Sequence, residues 1–223
     1  MNFIIRKTHK YLSFAISLQL LLWTISGIYF AFNKIELVRG EQYLTQKQHS
    51  IDLGEIDFKF SSIKTLDIKK RLNEDIVIIK TANKTQYLDR FGDDLEKLSM
   101  NDAMEVVKQR TTLSPVSTEE ILESERGSEF RGRSLPLYKV VGKAQDGLEI
   151  NVYLNAYSGD VVAIRSNKWR IWDLMWGLHI MDWQDRDNIG NLLLKIFSIL
   201  ALISSITGIM LFFKLDIKNS NQL

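Results

Sequence analysis

The chain has 223 residues, 45% of them hydrophobic and 25% charged, with a formal net charge of +2. Charges this close to balance give no support for a nucleic-acid binder, which would want a basic surface. With no cysteine in the chain, disulfide frameworks, thiol nucleophiles, iron–sulfur clusters and cysteine-type zinc sites are excluded. The three histidines, His9, His49 and His179, are the only imidazoles open to metal or haem chemistry.

Residues 1–10 carry Arg6, Lys7 and Lys10 and no acid. Residues 11–32 (YLSFAISLQLLLWTISGIYFAF) carry no charge and a single amide, Gln19. At about 1.5 Å rise per residue this run is about 33 Å long, enough for a hydrocarbon core about 30 Å thick. A cleaved signal would have a shorter apolar run followed by a small-x-small site. FAFNK at 30–34 offers no such site, so a retained anchor is expected. A second membrane helix is expected over 191–213, with an uncharged core at 196–213. Lys195 is long enough to reach the headgroups. Lys214 and Lys218 follow in a tail over 214–223. The positive-inside rule puts both termini in the cytoplasm and residues 33–190 outside it; in a bacterium the expected site is then the inner membrane, with 33–190 in the periplasm or on the outer face. The lipid bilayer is therefore the first expected partner.

Between the spans the hydrophobic pattern changes. IVIIK (76–80), LYKVVGKA (137–144), LEINVYLNAY (148–157) and DVVAIRS (160–166) alternate as strands do. Asp146-Gly147 and Ser158-Gly159-Asp160 read as the turns between them. Two helices are predicted. One covers SSIKTLDIKKRL (61–72). The other covers SMNDAMEVVKQRT (99–111), with Ser99 or Asn101 as cap and Ala103, Val106, Val107 and Arg110 at helical spacing.

The segment YLDRFGDDLEKL (87–98) aligns without gaps on YLNAYSGDVVAI (153–164). Each copy reads as a strand, a polar turn and a second strand, preceded by a helix and an apolar strand. The expected architecture is α+β: an extracytoplasmic domain of two helix-plus-antiparallel-sheet repeats, 33–98 and 99–168, carried by two transmembrane helices.

These residues carry a resemblance. LPLYKVVGKAQDGLEINVYLNAYSGDVVAI (135–164) is similar to the PepSY domain. Asn155, Ser158 and Asp160 stand where that family has Asp, Thr and Glu. The flanks resemble the PepSY-associated transmembrane family. The marks are an Arg-Lys-x-His start at 6–9, Leu178-His179 before the second span, and Ser/Thr-Gly-Ile at 26–28 and 207–209. The resemblance implies a membrane-anchored PepSY protein. It further implies haem b as a cofactor, because relatives with such spans include haem-binding inner-membrane reductases that release iron from siderophores.

Chemistry has few places to reside. The chain lacks a Gly-x-Ser-x-Gly elbow and a His-Glu-x-x-His helix, and no catalytic or metal-binding set is assigned. His49 lies in polar QKQHSID and reads as solvated. Asp182, Asp185 and Asp187 read as a solvated loop at headgroup level, since a cation site would need oxygens from several directions.

Residues 169–190 read as an interfacial helix and turn. Trp172, Trp176, His179 and Trp183 recur at helical spacing on one face. Trp169, Trp172, Trp176 and Trp183, with Arg6, Lys7 and Lys10, are expected at the membrane–water interface. A histidine in an aromatic stripe beside a bilayer needs a partner or a ligand. His9, at the opposite mouth of the first span, is either part of the basic cluster or a second axial ligand. One haem cannot bridge them, so bis-histidine ligation needs a homodimer; Met175, Met181 and Met210 are the alternative sixth ligands.

Two functional classes follow. One is a haem-linked electron-transfer or iron-uptake subunit with a periplasmic protein or iron–siderophore partner. The other is a non-redox tethered module that binds or restrains a periplasmic partner such as a peptidase. Under the second reading the histidines have no redox role.

Overall fold

A computed structural model of the chain describes residues 2–45 and 62–220. His49 lies outside the described residues. The chain divides into two compact units. The membrane unit joins 1–34 with 171–223, and the central unit is 35–170.

In the membrane unit, α1 (Asn2–Phe32) and α5 (Leu192–Ser220) extend the two predicted runs at their charged ends. Phe3–Phe32 and Leu192–Phe213 are long and apolar enough to cross a membrane. Most of their large apolar side chains are exposed, Phe14 and Phe212 among them, as lipid-facing residues must be. Their contact is polar. Ser13 Oγ lies 2.7 Å from Ser204 Oγ. His9 Nδ1 lies 3.0 Å from the Ser204 carbonyl and 3.0 Å from Thr207 Oγ1. A carbonyl only accepts, so Nδ1 carries the proton and donates. A Cβ on Gly208 would come within 3.1 Å of His9 Cε1, so a glycine there lets the imidazole seat against α5. Between apolar helices such contacts supply the attraction that hydrocarbon cannot.

The third piece of this unit is the end of α4 (Asn167–Ile180). A helix ending in an apolar setting must satisfy its last four carbonyls. Here each has a donor. The Gly177 carbonyl accepts from Asp182 N at 3.0 Å. The Leu178 carbonyl accepts from Gln19 Nε2 at 3.2 Å, and that of His179 from Trp23 Nε1 at 2.6 Å. The Ile180 carbonyl accepts from Asn191 Nδ2 at 2.8 Å. The lone amide of the first span is thus a helix cap supplied by another helix. Gln19→Leu should leave the Leu178 carbonyl unpaired and lower the stability of the α1–α4 contact by about 1–3 kcal/mol. Thermal unfolding of the detergent-solubilised protein, followed by tryptophan fluorescence, checks this, and an unchanged midpoint would refute it.

The central unit opens with the short α2 (Ile35–Val38) and a 3₁₀ turn, Glu41–Tyr43. The first sheet is a meander of β1 (Thr65–Arg71), β2 (Glu74–Lys80) and β3 (Thr85–Asp89), in that order. The segment predicted as a helix over 61–72 is therefore strand β1. Its Thr65–Arg71 pairs antiparallel with Glu74–Lys80 through a two-residue turn in which Leu72 has φ 52°. The sequence pattern there is ambiguous, and the partner decides it: Ile76–Ile79 are buried on both faces and need a neighbouring strand.

The second half follows the prediction closely. Ser99 caps α3 (Met100–Arg110): its Oγ accepts from Asp102 N, and Asp102 accepts from Ser99 N in return. This capping box satisfies two donors of the first turn. Ala103, Val106 and Val107 are buried against a four-stranded sheet of order β4 (Ser114–Ile121), β5 (Leu137–Lys143), β6 (Glu149–Asn155), β7 (Val161–Arg165). Val140, Ile150, Val152, Leu154 and Ile164 complete that core. Tyr138 reaches across it to donate to the Leu98 carbonyl at 2.6 Å. Phe130, Leu137, Tyr153 and Ala163 cover the other face. Strand β4 carried no alternation and was not predicted. It is an edge strand with a bulge at Pro115–Ser117, where proline is tolerated.

The repeat is visible in turn chemistry. Asp89 Oδ1 accepts from Phe91 N at 2.8 Å and Asp93 N at 3.0 Å. The aligned Asn155 Oδ1 accepts from Tyr157 N at 3.0 Å and Ser158 N at 2.9 Å. Both are side-chain-closed turns. The copies then diverge: the second continues into β7, while the first makes an isolated bridge between Leu88 and Asp94.

Candidate functional site

Two places gather chemistry-bearing side chains, one in each unit. The first lies where α4 meets α1. Trp172 and Trp176 stack at 5.6 Å, and Trp176 stacks on His179 at 6.4 Å. All three rings meet Phe30, at 5.0, 6.3 and 5.6 Å between centroids. The predicted stripe is real, but it packs on a neighbouring helix. Trp183 does not belong to it. Helix α4 ends at Ile180, Met181 turns left-handed at φ 56°, and Trp183 falls in the following loop, 55% exposed. Trp169 sits in the central unit, buried under Arg165 at 4.3 Å and Arg131 at 5.6 Å from its ring centroid. Arg6, Lys7 and Lys10 are exposed along the start of α1.

His179 is held firmly. Its Nδ1 lies 2.7 Å from Ser26 Oγ, and Ser26 itself donates to the Leu22 carbonyl at 2.7 Å. With the hydroxyl proton so placed, Nδ1–H of His179 donates to Ser26 and Nε2 keeps its lone pair. The loop after α4 is held too. Arg186 Nη1 reaches Asp173 Oδ2 at 2.7 Å, with Asp173 only 1% exposed. Trp176 Nε1 donates to the Arg186 carbonyl at 3.1 Å. Asp182 accepts from the backbone N–H groups of Asp185, Asp187 and Asn188. The carboxylate cluster at 182–187 is thus built around a loop-closing aspartate, and no metal-holding group of His, Cys, Asp and Glu occurs among the described residues.

The second place is a cleft of about 880 Å³ in the central unit. Its floor is one face of the first sheet: Asp67, Lys69, Ile78, Lys80, Thr85 and Tyr87, which the register sets side by side. Residues 132–136 and the turn at 155–160 line its sides. Tyr87 and Tyr157 stack at 5.0 Å, and Asn155 Nδ2 donates to Tyr87 OH at 3.1 Å. Asp160 receives Lys69 Nζ at 2.8 Å and Arg110 Nη1 at 3.3 Å. Buried Arg71 donates to Glu74 Oε1 at 2.6 Å and to the carbonyls of Glu96 and Tyr157 at 2.8 and 2.9 Å. These bonds tie the first sheet to the turn before β7. The sequence signals for this cleft were the aligned aspartate/asparagine turns. Nothing local marks the Tyr87–Tyr157 stack, because its partners are far apart in the chain.

A family model described as the PepSY-associated TM region matches residues 6–222. The chain belongs to this family. No curated protein and no solved structure gives a significant match. It is therefore a membrane protein of the PepSY-associated transmembrane family, with an α+β domain between two apolar helices.

The resemblance implies haem, and the residues of this PepSY-associated protein can be tested for it. An axial imidazole needs one nitrogen fixed by a hydrogen bond and the other open. His179 meets both conditions: Ser26 fixes Nδ1, and Nε2 makes no hydrogen bond among the described residues. His9 does not. Oxygens of Ser13, Ser204 and Thr207 lie within 3.5 Å of its nitrogens, and it joins the two membrane helices. Ser13 and Ser26, beside the two imidazoles, are separated by about 20 Å along α1, so one haem cannot meet both.

In the central unit two carboxylates set the pH response. Burial alone would raise Asp160, but the Lys69 hydrogen bond and charge, the Ser158 hydroxyl and the Arg110 charge outweigh it and hold it below the usual range. Burial would also raise Glu129. Hydrogen bonds from Arg170 and Asn151, the Arg170 charge and the Tyr153 hydroxyl outweigh that. Burial pushes the Tyr153 hydroxyl up, so it stays a donor. Carboxyls lowered by folding stabilise the fold above their unfolded values, about 4, and lose that contribution as pH falls through the lowered ones. The thermal midpoint should hold steady from pH 7 to about 5 and drop below about 4. Glu129→Gln with Asp160→Asn should flatten the drop. An unchanged acid limb in the double variant would refute the assignment.

Proposed function

We propose that this protein is a membrane-tethered binding module: its two helices fix it in a bacterial inner membrane with both termini cytoplasmic, and its central unit holds a periplasmic partner. The observation that supports this most is the cleft of about 880 Å³ on the first sheet, with a tyrosine pair and charges of both signs around it. A cleft of this size, with apolar surface and a few placed polar groups, is what recognition requires. The flanking Arg6, Lys7 and Lys10 support the orientation.

Photo-crosslinking side chains placed at Thr85 and Ser134, beside the cleft, should yield a discrete adduct in living cells. The same group at Val116, exposed on edge strand β4, should not. Equal adducts from all three positions, or none from the cleft, would remove the reading. Reporter fusions at residues 100 and 223 test the orientation.

A second reading has its own observation. His179 offers an open Nε2 in an aromatic enclosure, with Nδ1 fixed by Ser26. Haem bound there would supply one-electron chemistry, with His179 as axial ligand and Ser26 orienting it. The purified protein from haem-replete cells should then show a Soret band that His179→Ala abolishes and His9→Ala spares. A colourless preparation ends this reading.

A further inference from the structure

Strand β7 is the last strand of the second sheet, and among the described residues no backbone hydrogen bond reaches its outer side. Natural sheets rarely leave such an edge open without a device that blocks it or a partner that uses it. Beside this one runs a groove of about 200 Å³, lined by every residue of the strand, Val161–Arg165. Its other lining residues are Arg39, Leu44, Arg133 and Trp169, so among the described residues it carries arginines and no acid. Arg165 is already engaged, donating to the carbonyls of Glu129 and Ile164. Arg39 and Arg133 are exposed and have no ion-pair partner among the described residues. Val162 and Arg133 also line the larger cleft, so the two lie side by side.

We propose that β7 accepts an extended acidic segment of a partner protein as an added strand, with Arg39 and Arg133 taking its carboxylates. The proposal rests on the reading of the central unit as a binding module and names the partner class. Main-chain hydrogen bonds along β7 give the segment its affinity and direction. Side chains of an extended segment alternate between faces, so acidic residues two apart fall on one side. Guanidinium groups hold carboxylates through paired hydrogen bonds, which a lysine rim would not do. An apolar residue in the segment would meet Leu44 and Val162.

The test uses the full-length protein in detergent micelles and fluorescein-labelled peptides of alternating glutamate and valine. Fluorescence anisotropy should show saturable binding of the glutamate peptide and none of a lysine counterpart. Arg39→Glu with Arg133→Glu should weaken binding about tenfold or more, with an unchanged melting profile because both side chains are exposed. Methylating alternate backbone nitrogens of the peptide should abolish binding in one of the two registers. Undetectable binding, equal binding of the lysine peptide, or full binding of both methylated peptides would overturn the proposal. So would arginine changes that alter partition onto phosphatidylglycerol liposomes and leave peptide binding untouched. Photo-adducts at Thr85 and Ser134 that persist without peptide binding would leave the binding module standing and remove only the added strand. Loss of the adducts with peptide binding intact would keep the added strand and remove the cleft as the place where the partner is held.

Discussion

Gly40→Ala should lower the stability of the central unit by about 2–4 kcal/mol, combining a left-handed backbone with overpacking. Gly40 sits at φ 79°, just before the 3₁₀ turn Glu41–Tyr43. A Cβ there would stand 2.6 Å from Ile164 Cγ2 and 2.9 Å from Ile164 Cβ. Ile164 is 3% exposed and belongs to the core beneath α3. Because the second contact is to a Cβ, no rotamer change relieves it. The part of the clash that Cγ2 makes is separable from the backbone strain. An Ile164→Ala background removes the 2.6 Å contact with Cγ2 and keeps the 2.9 Å contact with Cβ, so Gly40→Ala should cost about 1 kcal/mol less there than in the native chain. Midpoints of the four proteins in the cycle measure the difference. Additive effects would show that the close approach to Ile164 is not what the glycine serves.

Asp173→Ala should destabilise the membrane unit by about 3–5 kcal/mol, the range for a buried ion pair that loses one partner. The Asp173 side chain is 2% exposed and that of Arg186 is 30%. The alanine variant therefore deprives the Arg186 guanidinium, which cannot give up its proton, of its bond to Asp173. Arg186 also anchors the loop through its carbonyl, which accepts from Trp176. A Cβ on Gly177 would meet Arg186 Cγ at 3.0 Å, so the arginine lies flat against α4. Its release should expose the peptide bond after Arg186 to trypsin, and cleavage there should accelerate at least about tenfold. Asp173→Asn keeps an acceptor and should fall between alanine and the native chain. By contrast, Glu105→Ala removes an exposed pair at 3.9 Å from Lys108 and should change nothing measurable. Resistance to trypsin in Asp173→Ala would refute the role of the pair.

These two sites differ in how far the sequence announced them. Gly40 stands in LVRGEQY, where nothing distinguishes a turn glycine from one pressed against a core isoleucine. Asp173 and Arg186 were legible as charges near a membrane helix, but their pairing depends on the chain reversing at Met181. The stripe of Trp172, Trp176 and His179 was legible because it is periodic within one helix. Its surroundings were not, since Phe30, Trp23 and Ser26 come from α1. Extending the stripe to Trp183 failed because periodicity carries no information about the left-handed residue that ends α4. Gln19 was visible as an odd amide in an apolar span, yet its use as a cap needs the Leu178 carbonyl, 159 residues away.

The central unit divides in the same way. The helix that starts at Ser99, one of the two caps the sequence offers, the hairpin at Asp146-Gly147 and the strands from 137 to 165 agree with the sequence reading because their determinants lie within a few residues of each other. The pattern over 61–72 predicts a helix because its charged residues suit an exposed helix as well as an edge strand such as Thr65–Arg71. Pairing with Ile76–Ile79 settled it. Strand β4 escaped because an edge strand with a bulge need not alternate.

What the sequence determined by itself is what local free energy decides: two runs too apolar for water, turns closed by their own side chains, and helices capped within one turn. The tertiary structure decided which carbonyl Gln19 reaches, which charge faces Arg186, and which strand edge beside Arg39 and Arg133 has no backbone partner among the described residues. Those contacts join groups scores of residues apart. Their worth depends on burial and distance, which exist only once the chain has closed on itself.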